Sequence, residues 1–201
     1  MRSGLSGLVA AAVLIAGGPR ETAQTPVDGP ARAVVVLAGG CYWGVESVFR
    51  HVRGVLSATS GYATPASTDT VLPDPVEAVR IVYDPSRITY RQILDVFFLV
   101  AHDPTQRNRQ GPDVGAEYRS VAFVTSDRAR EGAQAVIDSL AKARAYPDRI
   151  VTEIAALGSF REVGADQQNY AARHPTDPYI VTYDVPRLKA LRRRFPGLYR
   201  S

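Results

Sequence analysis

The chain holds a single cysteine, Cys41, and the residues around it, Gly39-Gly40-Cys41-Tyr42-Trp43-Gly44, define the chemistry to consider first. One cysteine forbids an internal disulfide and any multi-cysteine metal centre, so Cys41 counts as a thiol. Before it runs Val34-Val35-Val36-Leu37, apolar on both faces as a central strand is. After it Val45, Val48, Phe49 and Val52 fall at i, i+3, i+4 and i+7, the stripe of an amphipathic helix. Cys41 therefore opens a helix, where unpaired backbone N–H groups and the positive end of the dipole favour an anion. That is one recognised route to a nucleophilic thiolate at neutral pH. A lone cysteine can equally be a buried, inert apolar filler, and position alone does not separate the two. Tyr42 and Trp43, the latter the only tryptophan, offer two aromatic faces beside the sulfur. Such faces can hold a small apolar group such as a thioether methyl, or can be ordinary core packing.

The elements that must position these residues follow from pattern. Val55–Tyr62 and Val76–Tyr83 read as strands separated by a Pro/Thr/Ser/Asp-rich connection. In the second of them Glu77, Val79, Ile81 and Tyr83 share one face by the period of two, so a carboxyl rides on an apolar row. Thr89 is the expected N-cap of a helix with its apolar body at Ile93–Val100. The polar stretch His102–Arg119 has no period of its own, and a loop of that length within a compact domain is usually functional. Ser120–Thr125 is expected as a strand, Ser126 as the cap of a long helix to about Ala145, Arg149–Leu157 as a further strand, and Ala165–Arg173 as a short helix. The order β-α-β-β-α-β predicts an α+β fold, a ferredoxin-like two-layer α/β plait with a loop-rich C-terminal extension.

Of the 201 residues 45% are hydrophobic, enough for a real core. The net charge of +4 is small, and the run Arg192–Arg194 lacks interleaved aromatics, so nucleic acid is not an expected partner. His51, His102 and His174 share neither i, i+4 spacing nor a cysteine partner, and no metal is expected. Residues 1–18 carry Arg2 followed by the apolar stretch Leu5–Ala16, too short to span a bilayer, which predicts a signal peptide or N-terminal anchor and a periplasmic or secreted location. Residues 19–30 read as a linker, and residues 31–201 as one domain, expected to be a monomer.

The segment GGCYWGVE, followed in order by GVLSATSGYA at 54–63, EAVRIVYDPSRITYRQILDVFF at 77–98 and HDPTQRNRQGPDVGAEYRS at 102–120, resembles the A-type methionine sulfoxide reductases over about Ala33 to Tyr170. The resemblance implies that Cys41 attacks the sulfoxide sulfur and that Glu77 protonates its oxygen, which leaves poorly without a proton. It implies that Asp113 and Tyr118 line the oxygen side; Tyr42 and Trp43, the aromatic pair beside the thiol, are expected to bind the substrate. The S epimer of free or protein-bound methionine sulfoxide is the implied substrate. No bound cofactor is implied, only an external thiol reductant such as thioredoxin, glutaredoxin or a small thiol.

Three departures stand out. The connection between Gly61 and Glu77 is shorter than the family pattern and lacks its tyrosine, Gln167 replaces a common histidine, and there is no resolving cysteine. They leave room for a weakened relative that binds methionine-rich or oxidised proteins, or for a thiol redox sensor.

Overall fold

Burial on both faces of Val35-Val36-Leu37-Ala38 requires β1 (Ala33–Gly39) to lie mid-sheet, and it does, between β3 (Val76–Tyr83) and β6 (Ser120–Val124), antiparallel to both. The computed structural model describes residues 31–66 and 74–201. The expected targeting segment at 1–18, the linker at 19–30 and the middle of the Gly61–Glu77 connection lie outside the described residues. β2 (Val55–Pro65) pairs with the other edge of β3. Helix α1 (Tyr42–Arg50) joins β1 to β2. Helix α2 (Tyr90–Val96), starting at Thr89 in a reciprocal capping box with Gln92, continues as a wide π-type turn, Phe97–Ala101.

The mixed α/β character agrees with the sequence reading, but the sheet departs from the expected open plait. A fifth strand, β7 (Glu153–Glu162), pairs parallel with β6 and antiparallel with β2, closing the sheet into a barrel of order β1-β3-β2-β7-β6. Closure is possible because β2, 11 residues long and irregular at Thr64/Pro65, presents one edge to β3 and the other to β7. β7 begins at Glu153 rather than Arg149, and the short helix α4 (Tyr170–Arg173) is only its last turn of the expected span.

Alternation along the strands divides the apolar residues in two. Val35, Leu37, Val79, Ile81 and Tyr83 face α1, α2 and α3 (Asp127–Lys142, capped by Ser126) in the main core, whereas Val36, Ala38, Ala63, Ala78, Val121 and Phe123 fill the barrel. Past β7 the chain does not trail off as loops. It forms α4, a second wide turn at Ile180–Asp184 and α5 (Val185–Arg194), and packs back onto α1.

Candidate active site

Register brings the site together. Leu37 of β1 faces Val79 of β3, so two residues further along the antiparallel ladder the end of β1 lies beside Glu77. On the other side Gly39 faces Ser120, which sets the end of the long loop, with Tyr118, against the same strand end. Gly40 turns the chain with φ +84°, and Cys41 becomes the N-cap of α1. A side chain at Gly40 would stand 2.3 Å from Cβ of Gln110, so thiol turn and long loop touch backbone to side chain.

The long loop is held at both ends and within. Buried His102 bonds the Phe97 carbonyl oxygen through Nδ1 and Ser120 Oγ through Nε2 (2.7 Å). Burial lowers its pKa to about 4, so it stays neutral as a structural histidine. Gln110 exchanges side-chain hydrogen bonds with the backbone of Asp103. Between them a two-residue ladder, β4 (Arg109–Gln110) with β5 (Asp113–Val114), presents Asp113, and a single 3-10 turn, Ala116–Tyr118, presents Tyr118.

Cys41 is 7% exposed. The Trp43 backbone N–H beside the sulfur favours a thiolate, as the helix-start position suggested, but burial and the neighbouring Glu77 carboxyl outweigh it and push the thiol well up. The resting thiol is therefore held protonated. Glu77, 8% exposed, accepts the Tyr42 N–H at 3.0 Å beside Cys41. Burial raises its carboxyl to about 7, with Asp113 and Glu117 adding to the rise and the Tyr42 bond and the Cys41 thiol opposing it. Tyr118 is raised to about 12, by burial and then by Glu77 and Asp113. It remains a donor at neutral pH.

The predicted residues Cys41, Glu77, Asp113 and Tyr118 thus converge. Tyr42 is buried, edge-on to Tyr62 and to Trp43. Trp43 is half-buried, with one face stacked on Tyr170 (centroids 3.8 Å, 9°) and its indole N–H donating to Gln167 Oε1.

The C-terminal arm contributes what the sequence reading missed. Tyr179 lies edge-on to Trp43 and donates its hydroxyl to Asp113 Oδ2. Asp184, 1% exposed, pairs with Arg187 at 3.3 Å behind Gly44, where any larger side chain would meet both. Its Oδ2 has no partner among the described residues, and burial raises it to about 6. The only signal for these contacts was the density of tyrosines after Asn169, which no local period explains.

The chain matches the family model described as peptide methionine sulfoxide reductase over residues 33–196. It is 45% identical, over 85% of its own length and 91% of the other's, to peptide methionine sulfoxide reductase MsrA 2 of Mesorhizobium japonicum. Among solved structures it is similar to reduced Mxr1 of Saccharomyces cerevisiae (28% identity, TM-score 0.62, covering 72% of this chain and 87% of that one). It is also similar to Mxr1 solved in complex with Trx2 (25% identity, TM-score 0.50, covering 74% and 91%). A thiol held against a raised carboxyl, within a match spanning the whole domain, places this chain in the A-type peptide methionine sulfoxide reductases, thiol-dependent oxidoreductases that reduce methionine sulfoxide.

Proposed function

We propose that this chain reduces the S epimer of methionine sulfoxide, free or in proteins, by a thiol mechanism in which Cys41 and Glu77 act as one acid–base pair. A buried Glu77 carboxyl, raised to about 7 and fixed by the Tyr42 N–H at 3.0 Å beside the buried Cys41, carries this reading. On substrate binding the thiol proton passes to Glu77, the thiolate attacks the sulfoxide sulfur, and Glu77 delivers that proton to the oxygen. The oxygen ends on Cys41 as sulfenic acid and methionine leaves. Tyr118 donates to the oxygen as charge develops on it. Asp113 lines the same side, and Tyr179, bonded to it, adds a phenol to the site. The Trp43 ring, flanked by Tyr42, holds the methyl group.

The sulfenic acid is reduced by an external thiol: the first thiol forms a mixed disulfide and water, and a second displaces Cys41. A thioredoxin-like dithiol is the favoured reductant, since Mxr1 has been solved with Trx2. Nothing in this sequence of steps requires a bound cofactor. Export by residues 1–18 would place the reaction in the periplasm or outside the cell, in repair of oxidised proteins.

Turnover of each sulfoxide epimer with dithiothreitol tests the proposal. The S epimer is expected to be consumed and the R epimer spared, and Cys41→Ser is expected to be inactive because a hydroxyl at its ordinary pKa cannot replace the thiolate. Substantial turnover by Cys41→Ser would remove Cys41 from the chemistry.

A further inference from the structure

Glu46 is a charged residue buried to 1% exposure that no step of the reaction uses. Burying a carboxylate is unfavourable unless its oxygens are fully engaged, and here they are engaged by a loop. Oε1 and Oε2 both accept the Asn169 backbone N–H, at 3.0 and 2.9 Å, and Oε2 also accepts the Ser60 hydroxyl at 2.8 Å. Arg50, one turn along α1, stands 3.6 Å from Oε1. The neighbouring Gln168 completes the attachment: its Oε1 accepts the Ser60 N–H and its Nε2 donates to the Ser60 carbonyl, as a further strand residue would. Asn169 then turns in the left-handed region, φ 53°, and drops Tyr170 onto Trp43. Gln167, on the other side of the anchor, takes the indole N–H. Glu46 follows Trp43 by three residues, so both lie on one side of α1.

We propose that Glu46 is a positioning residue of the substrate pocket, pinning the Gln167–Tyr170 segment to α1 and β2 and thereby fixing the aromatic wall that Trp43 presents. This rests on the reading of Trp43 as the methyl-binding wall. Without the Glu46 acceptors the Asn169 N–H and the Ser60 hydroxyl lose their partner, the segment lifts, and Tyr170 no longer holds the indole ring. Cys41 and Glu77, whose contacts do not pass through that segment, keep their geometry. The effect falls on binding and spares the chemical step.

Trp43 is the only tryptophan, so its emission reports the wall directly. In the full chain, Glu46→Leu and Gln168→Ala should raise KM about tenfold, the scale of one hydrogen bond to a charged or buried partner, with kcat changed less than about twofold. Both should red-shift the Trp43 emission and increase its quenching by acrylamide. Glu46→Gln is the rescue: its Oε1 still accepts the Asn169 N–H and its Nε2 can donate to Ser60 Oγ, so KM and emission should stay near those of the parent chain. Gln168→Ala, at a half-buried position, keeps the test open should Glu46→Leu fail to fold. Unchanged emission and unchanged KM in a folded variant would overturn the anchor. A shifted emission with unchanged KM would instead overturn the assignment of Trp43 as the substrate wall, and a loss confined to kcat would overturn the positioning role.

Discussion

Burial raises both Cys41 and Glu77, the thiol much more than the carboxyl, so at neutral pH sulfur keeps its proton while Glu77, at about 7, is divided between its two forms. The reactive arrangement, thiolate beside carboxylic acid, carries the same number of protons as thiol beside carboxylate. It is reached by moving one proton from sulfur to the carboxylate. Only the carboxylate form of Glu77 can receive that proton. As pH falls through about 7 Glu77 fills with a proton from solvent, no acceptor remains for the thiol, and kcat/KM should drop about tenfold per pH unit. Above about 7 the carboxylate form is complete and the profile should level off. Glu77→Gln should abolish this acid limb and lower kcat/KM by about 10²- to 10⁴-fold. A kcat/KM profile between pH 5.5 and 9 checks both, and a parent-chain rate that rises toward acid would rule out the internal proton transfer. At this scale the sequence named the pair and its neighbours Asp113 and Tyr118. The helix start that favours a thiolate is visible in sequence, whereas the burial and the approach of Glu77 that oppose it exist only in the fold.

Among elements, those whose hydrophobic period is local were legible: β1, α1, β3 and the capped starts of α2 and α3 lie where their patterns and caps put them. The length of the His102–Arg119 loop marked it as functional, but not how it stays in place. Its rigidity comes from His102 to Ser120, Gln110 to Asp103, and the packing of Gln110 on Gly40. That packing gives an element-scale prediction. Gly40→Ala would place a methyl 2.3 Å from Gln110 Cβ at a φ of +84°. Left-handed backbone costs a non-glycine residue roughly 1–2 kcal/mol, and forced overpacking roughly 1–3 kcal/mol more. Denaturant unfolding should show a loss of about 2–5 kcal/mol. Activity should fall further than stability explains, because the only relief is to move Cys41 away from Glu77 or the loop away from both. Full activity in a folded Gly40→Ala chain would mean that loop and thiol turn are not coupled.

For the molecule as a whole, barrel closure and the C-terminal arm were not legible, since parallel pairing of β7 with β6 and the return of Tyr170, Tyr179 and Asp184 to α1 link residues more than 25 positions apart. The arm brings Tyr170, Tyr179 and Asp184 to the site and no thiol: Cys41 is alone in all 201 residues. The oxidised enzyme therefore has no internal route home. Once a sulfoxide has been reduced, the sulfenic acid can neither condense with a second cysteine of the same chain nor be displaced by one, and at 7% exposure Cys41 is poorly placed to meet the Cys41 of another molecule. With excess S sulfoxide and no reductant, each chain should consume one equivalent and stop. Dimedone should then add once per chain, at Cys41, with no disulfide-linked dimer in the mass spectrum. Adding a thioredoxin-like dithiol should restart turnover, and a variant of that reductant lacking its second cysteine should be captured as a mixed disulfide with Cys41. Multiple turnovers without any thiol, or stoichiometric consumption with neither adduct nor mixed disulfide at Cys41, would show that the oxygen does not pass to sulfur.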